Sequence, residues 1–208
     1  LNNVADNDLT VLFIGDSVTD CGRRDDPDRG LGNGYVRLVD EAFVAGGTPA
    51  NIVNRGISGN RVRDLRARWE KDALALRPTL LSVMIGVNDT WRRYDENDPT
   101  TVEAFEADYR ALLEALPGRD EMALVLMEPF LLPVTAGKEK WREDLDPKIA
   151  VVRALAAEFD AILVPTDEYL NDIDVPLAEI AADGVHPTEL GHQLLARLWL
   201  DTIENASA

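Results

Sequence analysis

Two stretches of the chain place a hydroxyl, a carboxylate and an imidazole where they could act on a carbonyl. Gly15-Asp16-Ser17 ends a short apolar run, and Asp183-Gly184-Val185-His186-Pro187 lies near the C-terminus. A serine on a glycine-opened turn at a strand's carboxyl end points its hydroxyl into the crevice. The N–H groups of a following helical turn face the same spot. Asp and His three apart in one turn can face each other, so that the carboxylate holds Nδ1–H and leaves Nε2 free as a base. Pro187 stiffens the backbone after the histidine and suits the first turn of a helix. Gly56, in Asn54-Arg55-Gly56-Ile57-Ser58-Gly59-Asn60, lets the backbone approach a ligand and offer its N–H. Asn88, in Gly86-Val87-Asn88-Asp89, offers a side-chain amide to a developing negative charge. Each part has a plainer reading: a helix cap at Asp16 or Ser17, a turn at Gly56, an Asx turn at Asn88, a capped structural histidine at His186. Taken together they fill the roles of nucleophile, base, orienter and oxyanion donors in acyl transfer. The serine turn is not the GxSxG elbow.

These residues need a rim to stand on. Five short apolar runs recur: Val11 to Gly15, Asn51 to Asn54, Leu80 to Gly86, Met122 to Met127 and Ala161 to Pro165. Each is continuous rather than alternating, as in strands covered on both faces. Amphipathic stretches lie between or after them: Tyr35 to Ala45, Val62 to Leu76, Val102 to Leu116, Pro147 to Phe159 and Leu190 to Ile203. Gly46-Gly47 and Pro117-Gly118 stop two of these. The alternation predicts an α/β fold, a doubly wound parallel sheet of five strands, whose ligands bind outside the strands' carboxyl ends. There is no internal repeat and no linker, so residues 1–208 are expected to form a single domain.

Composition excludes several classes. With 46% hydrophobic and 28% charged residues the chain is not a disordered one. Lys plus Arg is 21 against 38 Asp plus Glu, a formal charge of −17. That field argues against nucleic acid and anionic membrane as partners and fits neutral or cationic ligands. No apolar run approaches the length of a membrane-spanning helix. The single cysteine, Cys21, rules out an intrachain disulfide and a cysteine-based zinc site. Leu1 to Asp8 lacks a basic segment followed by an apolar core, which favours the cytoplasm and leaves secretion open.

The blocks around Ser17, Gly56, Asn88 and Asp183–His186 resemble those of the SGNH (GDSL) hydrolases, in that family's order and across nearly the whole chain. The resemblance implies a three-layer α/β/α sandwich with a flavodoxin-like sheet, and a triad of Ser17, His186 and Asp183. It implies an oxyanion hole made by the N–H groups of Ser17 and Gly56 and the amide of Asn88, with no metal and no other cofactor. Longer stretches, such as Phe13 to Arg23 and Met84 to Arg92, are similar to bacterial carbohydrate acetylesterases, above all to intracellular-type xylan acetylesterases. The substrate so implied is a small acetylated sugar such as a xylo-oligosaccharide. Members of that group carry a bulky aromatic just before the triad Asp, where this chain has Ala182.

Tyr35, Trp91, Arg92 and Tyr94 are candidate sugar contacts at the rim, with packing under the loops as the even alternative. Asp25, Asp26 and Asp28 are read as a solvated loop rather than a calcium site. Cys21 and His192 are read as packing residues, His192 with a surface position as the alternative. Trp141 and Trp199 lie on amphipathic stretches, as core or as an interface between copies of the chain, and the oligomeric state stays open. Two competing functions remain: a thioesterase or lysophospholipase with the same triad, and a non-catalytic flavodoxin-like binding module.

Overall fold

The computed structural model describes residues 9–117 and 122–206. Leu1 to Asp8 and Gly118 therefore lie outside the described residues. Five parallel strands form one sheet in the order β2-β1-β3-β4-β5: β1 Thr10–Gly15, β2 Asn51–Asn54, β3 Leu80–Met84, β4 Ala123–Met127 and β5 Ile162–Val164. β1 pairs on one side with β2, from Thr10↔Asn51 to Phe13↔Asn54, and on the other with β3, from Val11↔Leu80 to Gly15↔Met84. β1 and β3 are thus adjacent although β2 lies between them in sequence. That is the switch point of a doubly wound sheet, where a crevice opens beyond the carboxyl ends.

Strand period two sends successive side chains to opposite faces, and each face acquires its own core. Val11 and Phe13 join Val36, Val39, Leu195 and Trp199 from α2 (Tyr35–Ala45) and α9 (Glu189–Ala206). Leu12 and Ile14 join Leu65, Trp69, Phe105, Tyr109, Val152 and Leu155 on the other face. Those belong to α3 (Val62–Asp72), α5 (Val102–Glu114) and α6 (Arg142–Glu158). The three-layer sandwich follows from strands that are apolar on both sides.

Three shorter helices follow strands directly, α1 (Ser17–Asp20) after β1, α4 (Val87–Asp95) after β3 and α7 (Thr166–Asp172) after β5, and α8 (Leu177–Ile180) lies between α7 and α9 in the chain. The sequence reading did not separate α4 from a loop, although Val87, Trp91 and Tyr94 stand at i, i+4 and i+7. α6 begins five residues before the expected Pro147, which sits inside it. Proline there removes only the bond to the Glu143 carbonyl. Leu145 and Ile149, packed with Val87, Leu131, Trp141 and Val185 in a third cluster, hold the turn before it. Trp199 is fully buried, with its indole N–H on Ser82 Oγ (3.1 Å), and Trp141 is buried too. Both are core residues of this chain. No described helix is long and apolar enough to cross a membrane.

Candidate active site

β1 ends at Gly15, and α1 starts two residues later with Ser17 in its first turn. Asp16 caps that helix, its Oδ1 accepting from Val18 N–H (3.0 Å). Burial pushes the Asp16 carboxyl up to about 7, against the pull of the Val18 N–H and of nearby His186. β3 ends at Met84, and α4 brings Asn88 to the same crevice. Asn88 is buried, and its Nδ2 gives one N–H to the Asn60 carbonyl (3.0 Å). An amide nitrogen carries two N–H groups, so a second donor remains.

Ser17 Oγ lies 3.0 Å from His186 Nε2, and His186 Nδ1 lies 2.7 Å from Asp183 Oδ2. The other Asp183 oxygen, Oδ1, accepts from the N–H groups of Val185 (2.9 Å) and His186 (2.8 Å). A carboxylate that accepts can only face Nδ1–H, so Nε2 bears the lone pair and the Ser17 hydroxyl donates to it. Burial alone would raise the Asp183 pKa. The hydrogen bonds from His186 and Val185 outweigh it and hold the carboxyl below its usual range.

The turn that carries this pair is fastened from a segment the sequence reading did not single out. Lys138 Nζ donates to the Asp183 carbonyl, and the ammonium lies 5.0 Å from the Trp91 ring centre and 4.9 Å from that of Trp141. Trp91 in turn stands 5.7 Å from the His186 ring. A lone lysine between Gly137 and Glu139 carries no signal of this role; only the tertiary contact displays it.

A cleft of about 360 Å³ opens over Ser17. Asn88, His186, Trp91 and Arg92 line it, as do Ser58 and Gly59 from the loop after β2; Cys21, Pro187 and His192 complete the wall. Gly56 does not line it, and this corrects the expected oxyanion donor. The Gly56 N–H is taken by Asn54 Oδ1 (2.8 Å). A Cβ at Gly56 would stand 2.2 Å from Asp20 N, so glycine is needed because the turn that follows Ser17 packs on it. Gly59 occupies the exposed position instead. Its φ is +82°, open space lies where a Cβ would project, and its N–H has no acceptor among the described residues. Ser58 N and Oγ both donate to Asp20 Oδ2 (3.0 Å each), which ties this loop to the nucleophile turn. The sequence offered two glycines in one loop, and only the fold separates the packed one from the open one.

Of the four rim candidates, the structure brings Trp91 and Arg92 to the cleft and corrects two. Tyr35 is buried, its hydroxyl 3.0 Å from Thr19 Oγ1 and its ring edge-on to Phe13, and burial raises its pKa. Its place at the first turn of α2 turns it into the core. Tyr94 stacks on Trp141 with ring centres 5.2 Å apart and donates to the Lys140 carbonyl, one layer behind the cleft wall. Asp26 is engaged with its own loop: it accepts from the N–H groups of Asp28 and Leu31 and from Arg37.

His192 is buried in the cleft wall. Tyr35 N–H donates to its Nδ1 (3.2 Å), so the proton rides on Nε2 and points at Cys21 Sγ (3.3 Å). Burial lowers its pKa to about 4. The unfolded chain therefore takes up a proton between about pH 6.5 and 4 that the folded chain refuses. This site withdraws stability as pH falls through that window, on the order of 3 kcal/mol in full. Asp16 and Asp89, both raised to about 7 by burial, act in the opposite sense over the same range. A His192→Gln variant is accordingly expected to lose less Tm than the parent between pH 7 and pH 4.5. Equal losses in the two proteins, measured by thermal melts in matched buffers, would contradict the assignment.

Residues 13–194 match the model of the GDSL-like lipase/acylhydrolase family. The chain is 39% identical to an acetylxylan esterase of Geobacillus stearothermophilus over 211 residues, covering 93% of both chains. The crystal structure of Axe2, an acetylxylan esterase of the same organism, superposes with a TM-score of 0.84 at 36% identity, covering 95% of this chain and 94% of that one. A structure from Parabacteroides merdae ATCC 43184, named for its likeness to GDSL lipases, reaches 0.87 at 38% identity, covering 94% and 95%. Axe2 structures described as catalytic mutants carry alanine for a serine, for a histidine and for an aspartate three residues before that histidine.

Proposed function

The chain belongs to the GDSL-like lipase/acylhydrolase family, and from that premise we propose that it is a serine esterase that removes acetyl groups from small acetylated carbohydrates of the xylo-oligosaccharide type. The observation that carries the proposal is the unbroken hydrogen-bond chain from Ser17 through His186 to Asp183, opening on a cleft with Asn88 in its wall.

In the proposed reaction the Ser17 Oγ attacks the ester carbonyl while His186 Nε2 takes its proton. Asp183 holds the ring and stabilises the imidazolium. The tetrahedral oxyanion is received by the N–H groups of Ser17 and Gly59 and by the free amide N–H of Asn88. His186 then returns its proton to the leaving sugar oxygen, and water repeats the cycle on the acyl-enzyme. Trp91 and Arg92 contact the sugar: an aromatic face stacks on a ring, and a guanidinium bonds hydroxyls. Ala182, exposed just before Asp183, leaves the acyl side more open than a bulky aromatic would.

The test is acetate release from acetylated xylo-oligosaccharides beside a C2-to-C12 acyl ester series. Rapid sugar deacetylation with turnover highest at C2 is expected. Turnover confined to long acyl chains or thioesters, with no acetate released from sugar, would move the protein to the lysophospholipase or thioesterase alternative.

A further inference from the structure

In a chain with 38 acidic side chains to 21 Lys and Arg, an arginine without a carboxylate partner is unexpected. Most described arginines have one: Arg29 meets Asp40, Arg61 meets Asp98, Arg93 meets Asp144, and Arg142 meets Asp167. Arg23 and Arg55 are different, as is Arg77, which stands exposed elsewhere in the chain. Among the described residues neither has a carboxylate oxygen within 4.0 Å. They are nevertheless neighbours. Arg23 Nε donates to the Gly56 carbonyl, one residue beyond Arg55. Arg55 Nε is buried and has no hydrogen-bond partner among the described residues. A third guanidinium, Arg68, reaches the Arg55 carbonyl (2.8 Å) and the Gly15 carbonyl (3.1 Å), but Asp72 already neutralises it. Burial lowers the Arg23 pKa; the Asp20 carboxylate pulls the other way, and the smaller repulsions of Arg55, Arg24 and Arg68 add to the lowering.

Arg23 has only the more distant Asp20 carboxylate, already engaged by Arg24 and Ser58, and Arg55 has no carboxylate within 4.0 Å among the described residues; with one buried donor left unpaired, the two adjacent cations form an arrangement that folding alone disfavours. A bound anion relieves both costs. The place is also informative. Gly56 precedes the cleft-wall residue Gly59 by three positions, a span of at most about 10 Å even when extended. Neither arginine lines the cleft, but Arg23 follows the cleft-wall residue Cys21 by two positions and Arg55 precedes the cleft-wall residue Ser58 by three, so the pair belongs to the two loops that build this wall.

We propose that Arg23 and Arg55 form a carboxylate subsite that receives a uronic acid residue borne by the acetylated oligosaccharide. The inference rests on the carbohydrate-ester reading and specifies it further: the preferred substrate is an acidic, branched sugar. A carboxylate matches the planar fork of a guanidinium and can bridge two of them. The overall charge of −17 repels anions in general, so a local pair of this kind selects the acidic substrate at short range, where screening and the global field count least.

The experiment compares acetylated xylo-oligosaccharides of equal length with and without a glucuronic acid branch. In the parent protein the acidic substrate is expected to have a kcat/KM about tenfold higher, expressed in KM, and the advantage should shrink with added salt. In Arg55→Gln the ratio should fall to about one. A parent ratio of one, or an advantage that survives both Arg55→Gln and Arg23→Gln, overturns the subsite while leaving deacetylation intact. If free glucuronate inhibits both substrates equally and neither is preferred, the pair binds free anions and the inference is likewise overturned. Should neither substrate release acetate, the esterase reading falls and titration decides the subsite by itself. Calorimetry of the deacetylated acidic and neutral sugars against Ser17→Ala then supports it by tighter binding of the acidic one, lost on adding Arg55→Gln. Equal binding rejects it.

Discussion

Replacing Ser17 by alanine is expected to lower kcat on an acetyl ester by roughly six orders of magnitude. In the proposed mechanism the Ser17 oxygen becomes bonded to the acyl carbon, and no other described side chain is hydrogen-bonded to His186 Nε2 in its place. Cys21, also in the cleft wall, does not substitute. Its thiol is held above its ordinary pKa by burial and faces His192, which Tyr35 N–H keeps in the wrong tautomer for a base at Nε2. His186→Ala is expected to cost about as much as Ser17→Ala, and the double variant hardly more than either. A nucleophile and its base act as one unit, so removing the second member removes nothing further. What remains comes from the oxyanion donors and binding, which persist. The measurement is single-turnover and steady-state hydrolysis of a chromogenic acetate by the three purified variants. Additive losses would mean that the two residues act in separate steps. Undiminished turnover in Ser17→Ala would remove the mechanism altogether.

Asp183→Asn is expected to lower kcat by about 10⁴ with the fold unchanged. Both carboxylate oxygens are committed as acceptors: Oδ1 to two backbone N–H groups and Oδ2 to the imidazole. An asparagine has one carbonyl oxygen for these two directions. The backbone pair cannot rotate away, so the amide oxygen takes that side and the NH₂ faces His186 Nδ1. The ring must then accept at Nδ1 and carry its proton on Nε2, where it no longer accepts from Ser17. KM for a small ester should change far less than kcat, because the substrate does not touch residue 183. A KM-dominated effect would mean that the turn shapes the binding cleft rather than the base. Lys138, which clamps the Asp183 carbonyl and packs on Trp91, limits how far this turn can adjust to the change.

The legible part of this protein is the part written in contiguous residues. The apolar runs coincide with the strands to within two residues at either end, because the central strands β1 and β3 are covered on both faces and so are mostly apolar, while the edge strand β2 keeps an exposed Asn51. Tyr35–Ala45 is bounded as expected, since Gly46 and Gly47 stop it. Asp183 and His186 meet through one turn, so spacing alone reveals them. The errors fall where a residue's role depends on which elements pack against it. Tyr35 and Tyr94 look like rim aromatics, but helix phase and the Phe13 and Trp141 rings draw them inward. The helix around Pro147 runs five residues further back because packed side chains hold a turn that propensity disfavours.

Contiguous sequence was enough for the strand set, the parallel layered fold and the candidates Ser17, His186, Asp183 and Asn88 for the proposed roles. Their chemistry resides in residue type, and their placement follows from lying at strand ends. Only the fold shows which of the two glycines lines the cleft, that Lys138 fastens the Asp183–His186 turn, and that Arg23 and Arg55 stand together with no carboxylate within 4.0 Å among the described residues. Those outcomes depend on contacts between segments far apart in the chain. Packing of the nucleophile turn against Gly56 leaves Gly59 open, and no local pattern encodes which of two nearby glycines the distant segment will cover.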